Sequence, residues 1–465
     1  MGTAEAEDGE LMTLPQSSLM SPLRALAGFA AVAGLVTASS SPALAVWAMD
    51  DTEEETSEVP EGVERVESGT NQDSAPLLEP GNRYISNFEQ DNMFFRVSRT
   101  MENSTLHVGL AYTDPEGDML TNATLELSTF DGSSCDSSDL GWEASPAGYL
   151  QRGAQVLATP DQDPDRYNAV PECGSLDQLL LSVQPEGDEF SGRDFELVVS
   201  EEPDPTNGDQ LRSSFDDDRN HWGDDGLEWF TMERDRDANN PIEPGSSIYN
   251  APLLETGTTY DAQLQPGEAH IYRVEADWND QIQAEVFFPE PASELSDELE
   301  RSWAEAQVSI ISPYYGSTMP GSNRASDEQN LSATIDETHA TTLRAQSYPV
   351  TWTGRFASSA GDNARNASVP GEYFVLVAMD PDVGESSLNV PYRLTTGVFE
   401  GANEPLPEYD EEPVEPEAAG EQAQDGVDAS GSFGTYHWLA LGLGALGVGL
   451  IAFGGVSLLK GLRRR

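Results

Sequence analysis

The sequence predicts an all-β protein: two tandem β-sandwich modules held outside a membrane, plus a single C-terminal transmembrane helix. Three observations carry that prediction. The phrase "APLLEPGNRY" at 75–84 returns as "APLLETGTTY" at 251–260, with seven of ten letters identical. Each copy is followed by short runs in which apolar and polar residues alternate, the period of a strand with one buried face. The chain ends on an uncharged run, Leu439–Leu459, followed by Lys460 and Arg463–Arg465.

The N-terminal end reads as an export signal. Residues 25–38, "ALAGFAAVAGLVTA", follow Arg24 and precede "SPALA", where Ala43 and Ala45 fit a signal-peptidase site. A signal peptide over 1–45 is expected. Glu5, Glu7, Asp8 and Glu10 are foreign to such a head, and a start at Met20 would give the ordinary "MSPLR". An uncleaved anchor competes with this reading, but the run is short for a bilayer.

Residues 46–73 read as a disordered acidic leader, since "DDTEEETSEVPEGVERVESGTNQD" has too little apolar content to pack. The first module is expected over 74–200. There Leu106, Val108, Leu110 and Tyr112 alternate with polar residues, and similar runs end at Leu179–Val183 and Phe195–Val199. An acidic linker over 201–249 leads to a second module over 250–398. Ile282, Ala284, Val286 and Phe288 open its alternation, and Tyr392 and Leu394 close it. A helix interrupts it at 291–306, where Leu295, Leu299 and Trp303 share a face. Each module is long enough for its own core, and two sheets packed face to face suit strands this short. The echo therefore reads as a duplicated β-domain, with convergent turn chemistry as the alternative.

Residues 400–430 carry eleven acids, four prolines and no base. Charge repulsion and proline both extend a chain, so 399–436 reads as a disordered stalk. The span 437–459 follows. At about 1.5 Å per residue the 21 residues of Leu439–Leu459 within it match the hydrocarbon thickness. Tyr436 and Trp438 sit at its outer edge, and the basic tail 460–465 places the C-terminus in the cytoplasm. The bulk of the chain is then extracellular.

The formal charge is −60, from 23 basic and 83 acidic residues, and Lys460 is the only lysine. So acidic a surface repels nucleic acid and anionic lipid, and favours cations or a basic partner. The acids run the length of the outer chain, which favours general solubility over a dedicated cation site. Cys135 and Cys173 are the only cysteines, and an exported pair more often bonds than stays free. Such a bond would contribute about 3–4 kcal/mol.

No GxSxG, HExxH, CxxC or phosphate-cradling motif occurs, and the five histidines are scattered, so no enzyme is expected. His107 and His270 fall in strand-like runs and read as ordinary sheet positions. The best metal candidate is "DQDPDRYNAVPE" (161–172). Asp161, Asp163, Asp165 and Glu172 take positions 1, 3, 5 and 12 of a Ca²⁺ loop. Arg166 stands where the loop needs glycine, and Pro164 and Pro171 stiffen it, so a solvated acidic loop is favoured. "FDDDRNHWGDDG" (215–226) is a second acidic cluster, read as a polar linker. No cofactor is expected beyond Ca²⁺ at the first loop.

The line "GTTYDAQLQPGEAHIYRVEADWNDQIQAEVFF" (257–288) resembles the opening of bacterial pre-peptidase C-terminal-type modules, and "PGEYFVLVAMD" (370–380) resembles their closing strand. The first copy departs from the pattern, with "EQDN" (89–92) in place of "QPGE". Similar lines occur in actinobacterial surface proteins. The resemblance implies a jelly-roll-like β-sandwich, non-catalytic in itself. The resulting expectation is a single-pass surface protein binding a partner protein or envelope polymer. An exported hydrolase or inhibitor with an unrecognised site, and a structural spacer, are the alternatives.

Overall fold

The computed structural model describes residues 60, 62–89, 92–113, 122–140, 151–160, 170–187, 190–214, 227–237, 239–302, 304–321, 325–357, 362–380 and 388–416, all within one unit, 58–465. The expected signal peptide, transmembrane run and basic tail lie outside the described residues. Among the described residues no helix is long and apolar enough to cross a membrane.

The fold is all-β, four sheets with few helices. The first module comprises β1 (Val63–Arg65), β2 (Leu77–Leu78), β3 (Asn82–Asn87), β4 (Met93–Ser98), β5 (Ser104–Thr113), β6 (Asn122–Ser128), β7 (Ser134–Asp139), β8 (Gln151–Ala158), β9 (Gln178–Glu186) and β10 (Asp194–Pro203). Its sheets run β1-β3-β10-β5-β8 and β2-β4-β9-β6-β7. Inward residues such as Phe95, Val108, Leu125, Leu181 and Leu197 fill the core between them. A short helix, α1 (Gly208–Ser214), follows.

The second module comprises β11 (Thr259–Leu264), β12 (Ala269–Ala276), β13 (Asp280–Phe288), β14 (Glu305–Ile311), β15 (Ser332–Thr334), β16 (Thr341–Gln346), β17 (Gly371–Met379) and β18 (Val390–Glu400), with α2 (Ser293–Ser302) and α3 (Asp362–Asn366). Its sheets run β11-β18-β13-β16 and β12-β17-β14-β15. Counting β3 and β11 each as strand one, both modules read 1-8-3-6 in one sheet and 2-7-4-5 in the other. A separate core, with Tyr272, Val286, Val308, Val375 and Leu394, fills the second module. In α2, Leu299 is buried and Leu295 packs against that core; Trp303 lies outside the described residues.

The repeated phrase has a repeated job. In each copy its first leucine pairs in parallel with an arginine of strand two, Leu77 with Arg96 and Leu253 with Arg273. The arginine Nε donates to the phrase's alanine carbonyl, Arg96 to Ala75 at 2.8 Å and Arg273 to Ala251 at 2.7 Å. The closing tyrosine accepts the glutamate N–H, Glu79 to Tyr84 at 2.8 Å and Glu255 to Tyr260 at 3.1 Å. Glycine is required between them, because Gly81 and Gly257 sit at φ +83° and +77°. Seven identical letters therefore encode one buckle that locks the first turn of the module to strand two.

Three boundaries differ from the sequence expectation. The leader does not extend to 73: β1 pairs with β3, Val66 packs on the core and Gly69 bridges Phe94. A three-residue edge strand bearing Glu64 and Arg65 hides in acidic composition. The linker is shorter than 201–249, since β10 runs to Pro203 while Pro241 and Gly245 bridge Asp261 and Ile271 of the second module. Residues 401–416, expected in a free stalk, instead cross from module 2 to module 1, where Val414 bridges Glu201. Proline and acid content measures a chain's poverty in apolar groups, and this segment is held by hydrogen bonds.

Candidate functional site

The most elaborate site is the seam between the modules. The outer face of module 1's first sheet meets the outer face of module 2's second sheet. Ala111 and Val198 pack there with Ile271, Phe374, Leu376 and Ala378. The loop "SPYYG" (312–316) of module 2 presses into module 1. It can do so because two strand positions lack side chains: a Cβ on Gly109 would fall 2.3 Å from the Tyr314 carbonyl oxygen, and one on Gly153 would fall 2.5 Å from that of Tyr315. Tyr315 adopts φ +68°, a left-handed conformation that costs a non-glycine residue about 1–2 kcal/mol and is held here by its surroundings.

At one end of the seam the Tyr315 hydroxyl bonds Glu196 and Arg83, while Arg83 also pairs with Glu196 at 2.9 Å. Beside it, Ser312 Oγ donates to Gln155 Oε1 at 2.7 Å, and Arg365 of α3 pairs with Asp136 of β7. At the other end lies a buried charged cluster. Glu202 of β10 accepts from Arg355 Nη2 at 3.0 and 2.8 Å, from His107 at 3.0 Å and from the Tyr409 hydroxyl. Arg355 is 1% exposed. It sits in the 3-10 turn Trp352–Phe356 of module 2, where it also donates to Thr105 Oγ1, the Trp352 carbonyl and the Ser368 carbonyl. Its guanidinium lies 4.7 Å from the centroid of Trp352.

Burial works to raise the Glu202 carboxyl, but Arg355, His107 and Tyr409 together outweigh it and hold it at about 2. The carboxylate is thus ionised and accepts only, so His107 Nε2 carries the proton. His107 Nδ1 has no partner, and burial depresses the imidazolium against the pull of Glu202. The ring is neutral and stacks on Tyr314 at 5.2 Å. His107 Nδ1 apart, the charged groups of the cluster are spent on one another, and the arrangement acts as a structural lock between the modules.

Module 2's first sheet has its own cover. Residues 227–237 lie across it, with Phe230 stacked on Phe399 at 5.1 Å and Met232 buried. Glu285, 2% exposed, takes Arg234 at 2.6 Å, Arg344 at 2.8 Å and Arg236 at 3.4 Å. An open cleft of about 430 Å³ lies beside β11 and β18. It is lined by Asn239, Ile242, Asp261, Gln263, Pro391 and Arg393 among others, and the Arg393–Asp261 pair at 3.0 Å forms part of its wall.

Of the residues singled out in the sequence, Cys135 and Cys173 form a disulfide tying β7 to the 3-10 turn Pro171–Gly174. Glu172 is an exposed member of that turn. Asp161, Asp163 and Asp165 lie outside the described residues, as does the 215–226 cluster. Among the described residues no group of three or more His, Cys, Asp or Glu side chains could hold a metal ion. His107 and His270 stand in strands, and His270 Nδ1 meets the Tyr392 hydroxyl at 2.8 Å. Glu202, Arg355 and the "SPYYG" loop match no motif in the sequence. Two signals were present: glycines at 109 and 153 inside alternating runs, and a glutamate continuing a strand beyond its apolar residues.

No protein-family model matches the sequence, and no curated protein matches it. Solved structures give remote likenesses only. A protein from Eubacterium rectale described as a candidate secreted protein is 7% identical over 71% of this chain and 80% of its own, at TM-score 0.18. The ANX1 ectodomain from Arabidopsis thaliana is 9% identical over 70% and 85%, at 0.16. The M60 catalytic domain with two CBM51 domains from Clostridium perfringens ZmpB is 8% identical over 66% and 34%, at 0.16. At such scores none of them carries an argument about this chain.

Proposed function

We propose that the protein is a non-catalytic interaction protein of a cell surface. Its two modules, of the pre-peptidase C-terminal type, are displayed outside a membrane that residues 437–459 cross, and they bind a partner protein or an envelope polymer. The order 1-8-3-6 over 2-7-4-5 in both modules is that of a jelly roll, which supports the implied module type. The disulfide supports export, since such bonds persist in oxidising compartments.

The observation that carries the reading is the seam. Two copies of one module are interlocked by a buried charged cluster and an aromatic plug, so their outer surfaces keep one relation to each other. Loosely tethered spacers need no such interlock. A combined surface offered to a partner does, because preorganisation lowers the entropic cost of binding. The cleft beside β11 and β18 is the favoured contact point, and Ca²⁺ at Asp161, Asp163, Asp165 and Glu172 is the cofactor this reading admits.

Photo-crosslinking on living cells tests it, with benzoylphenylalanine placed at Asn239, Gln263 or Pro391. One recurrent extracellular adduct is the expected result, together with digestion of the modules by protease added to intact cells. Modules that stay protected from that protease would overturn the surface placement. Protease-accessible modules that yield no adduct, from the cleft or from sites spread over both modules, would overturn the interaction role.

A further inference from the structure

Residues 401–416 cross the seam. Their first part is tied to module 2. The N–H groups of Gly401 and Ala402 donate to the Asn279 carbonyl, and Glu404 exchanges hydrogen bonds with the Asn279 side chain. Their second part is tied to module 1. Asn207 donates to the Leu406 carbonyl and accepts from the Glu408 N–H, and Thr206 donates to the Glu408 carbonyl. Tyr409 donates to Glu202, and Val414 exchanges both backbone hydrogen bonds with Glu201.

What opposes this docking is charge. The segment carries six acids (Glu404, Glu408, Asp410, Glu411, Glu412 and Glu415) and no base, in a chain of formal charge −60. Its apolar contribution is small, and Leu406 is 54% exposed. Directional, short-range attraction is thus set against diffuse, long-range repulsion. Salt acts on the two unequally. The screening length is about 30 Å at 0.01 M and about 3 Å at 1 M, so added ions remove most of the repulsion and leave the hydrogen bonds.

We infer that residues 403–416 are a salt-gated clasp: screened by ions, they fasten module 2 to module 1 across the seam, and at low ionic strength they peel away while both modules stay folded. Glu415 makes the clasp sensitive to pH in the same sense. The residue as a whole is exposed, but partial desolvation of its carboxyl beside the seam, then the charge of Glu202, raise that carboxyl above the ordinary range. Docking therefore takes up a proton, is favoured as pH falls, and weakens as pH rises through the docked value. The charged and titratable groups that act on it or that it acts on are Glu202, itself held by Arg355, His107 and Tyr409, and Tyr314 of the module 2 loop. With the clasp docked, Arg355, His107 and Tyr409 hold the Glu202 carboxyl at about 2, so Glu202 does not supply the proton that docking takes up. Release uncovers the end of the seam where Tyr409 meets Glu202, whatever the protein's location or partner.

Hydrogen exchange of the full chain in non-ionic detergent, at one pH and at about 10 mM or about 1 M NaCl, provides the test. Amides of 408–414 are expected to slow by about tenfold or more at high salt, while those of β5 and β10 do not change. Glu415→Gln should slow the clasp amides at low salt, and Tyr409→Phe should speed them. Clasp amides indifferent to salt would overturn the inference, as would amides that respond only together with β5 and β10. Equal low-salt rates in all three proteins would overturn it as well.

Discussion

The same face of the two modules meets two different neighbours. Matching Tyr84 with Tyr260, each opposite a leucine of its last strand, sets the register. Thr105, His107, Gly109 and Ala111 then correspond to Gln281, Gln283, Glu285 and Phe287, while Gly153 corresponds to Thr342. Module 1 opens this face with glycines and receives the "SPYYG" loop. Module 2 fills it with Glu285 and Arg344 and covers it with 227–237, which adds Arg234 and Arg236. The opposite faces diverge too. Module 2 offers Ile271, Phe374, Leu376 and Ala378 to the seam, where module 1 has Phe94, Leu180, Ser182 and Gln184 at the matching positions. Unlike faces that join head to tail could in principle add copies without end. Duplication made the faces alike; divergence has left a single productive contact and closed the equivalent face on module 2.

The strongest way to break this comparison is to remove the charge that only the seam uses. Arg355→Leu leaves the Glu202 carboxylate buried without its cation, and a loss of about 3–5 kcal/mol is expected. Denaturant unfolding measures it. A loss below about 1 kcal/mol would show that packing alone joins the modules.

The disulfide distinguishes the modules next, because module 2 has no cysteine. Cys135→Ser with Cys173→Ser should cost about 3–4 kcal/mol through the freer unfolded chain. Exchange should quicken in β6 and β7 while β14 and β15 keep their protection. If both modules lose protection equally, the seam couples them into one cooperative unit, and the comparison is sharpened.

The third substitution borrows from the other module. His107→Gln installs the residue found at 283 and keeps a donor for Glu202. In the wild type the folded His107 pKa lies below its unfolded value of about 6.5. As pH falls beneath about 6.5 the unfolded chain takes up a proton that the folded one refuses, and stability drops by up to about 1.4 kcal/mol per pH unit. That slope should be absent in the glutamine variant. Glu202 adds a separate loss only at lower pH, between its unfolded value near 4.5 and about 2. Identical pH profiles above pH 5 would remove His107 from the account.

Much of the fold could be read in advance, because strand alternation and the repeated phrase are local. Leu106, Val108 and Leu110 face a core, as their spacing requires. The seam could not be read that way. His107 obeys the alternation as an outward residue, and nothing adjacent to it in sequence announces that Arg355, about 250 residues away, ends beside it. A glycine inside a strand signals close backbone approach without naming the visitor. The clasp is hidden for the opposite reason: its composition describes a solvated chain, and its fastening depends on backbone groups that composition does not register.

The smallest effect isolates the clasp within the shared buckle. Gly81 and Gly257 occupy the same turn at nearly the same positive φ, so alanine at either should cost about 1–2 kcal/mol in backbone strain. Their surroundings differ. A Cβ at 81 would lie 2.9 Å from a Val414 methyl, whereas a Cβ at 257 meets nothing within 4 Å. The strain is common to both variants and cancels between them. The remaining difference, below about 1 kcal/mol because a side-chain tip can move aside, reports contact with the clasp. It should appear at high salt, when the clasp is fastened, and shrink at low salt. Hydrogen exchange of 408–414 should quicken in Gly81→Ala and stay at the wild-type rate in Gly257→Ala. Equal behaviour of the two alanines would mean that Val414 does not rest on the first module's turn.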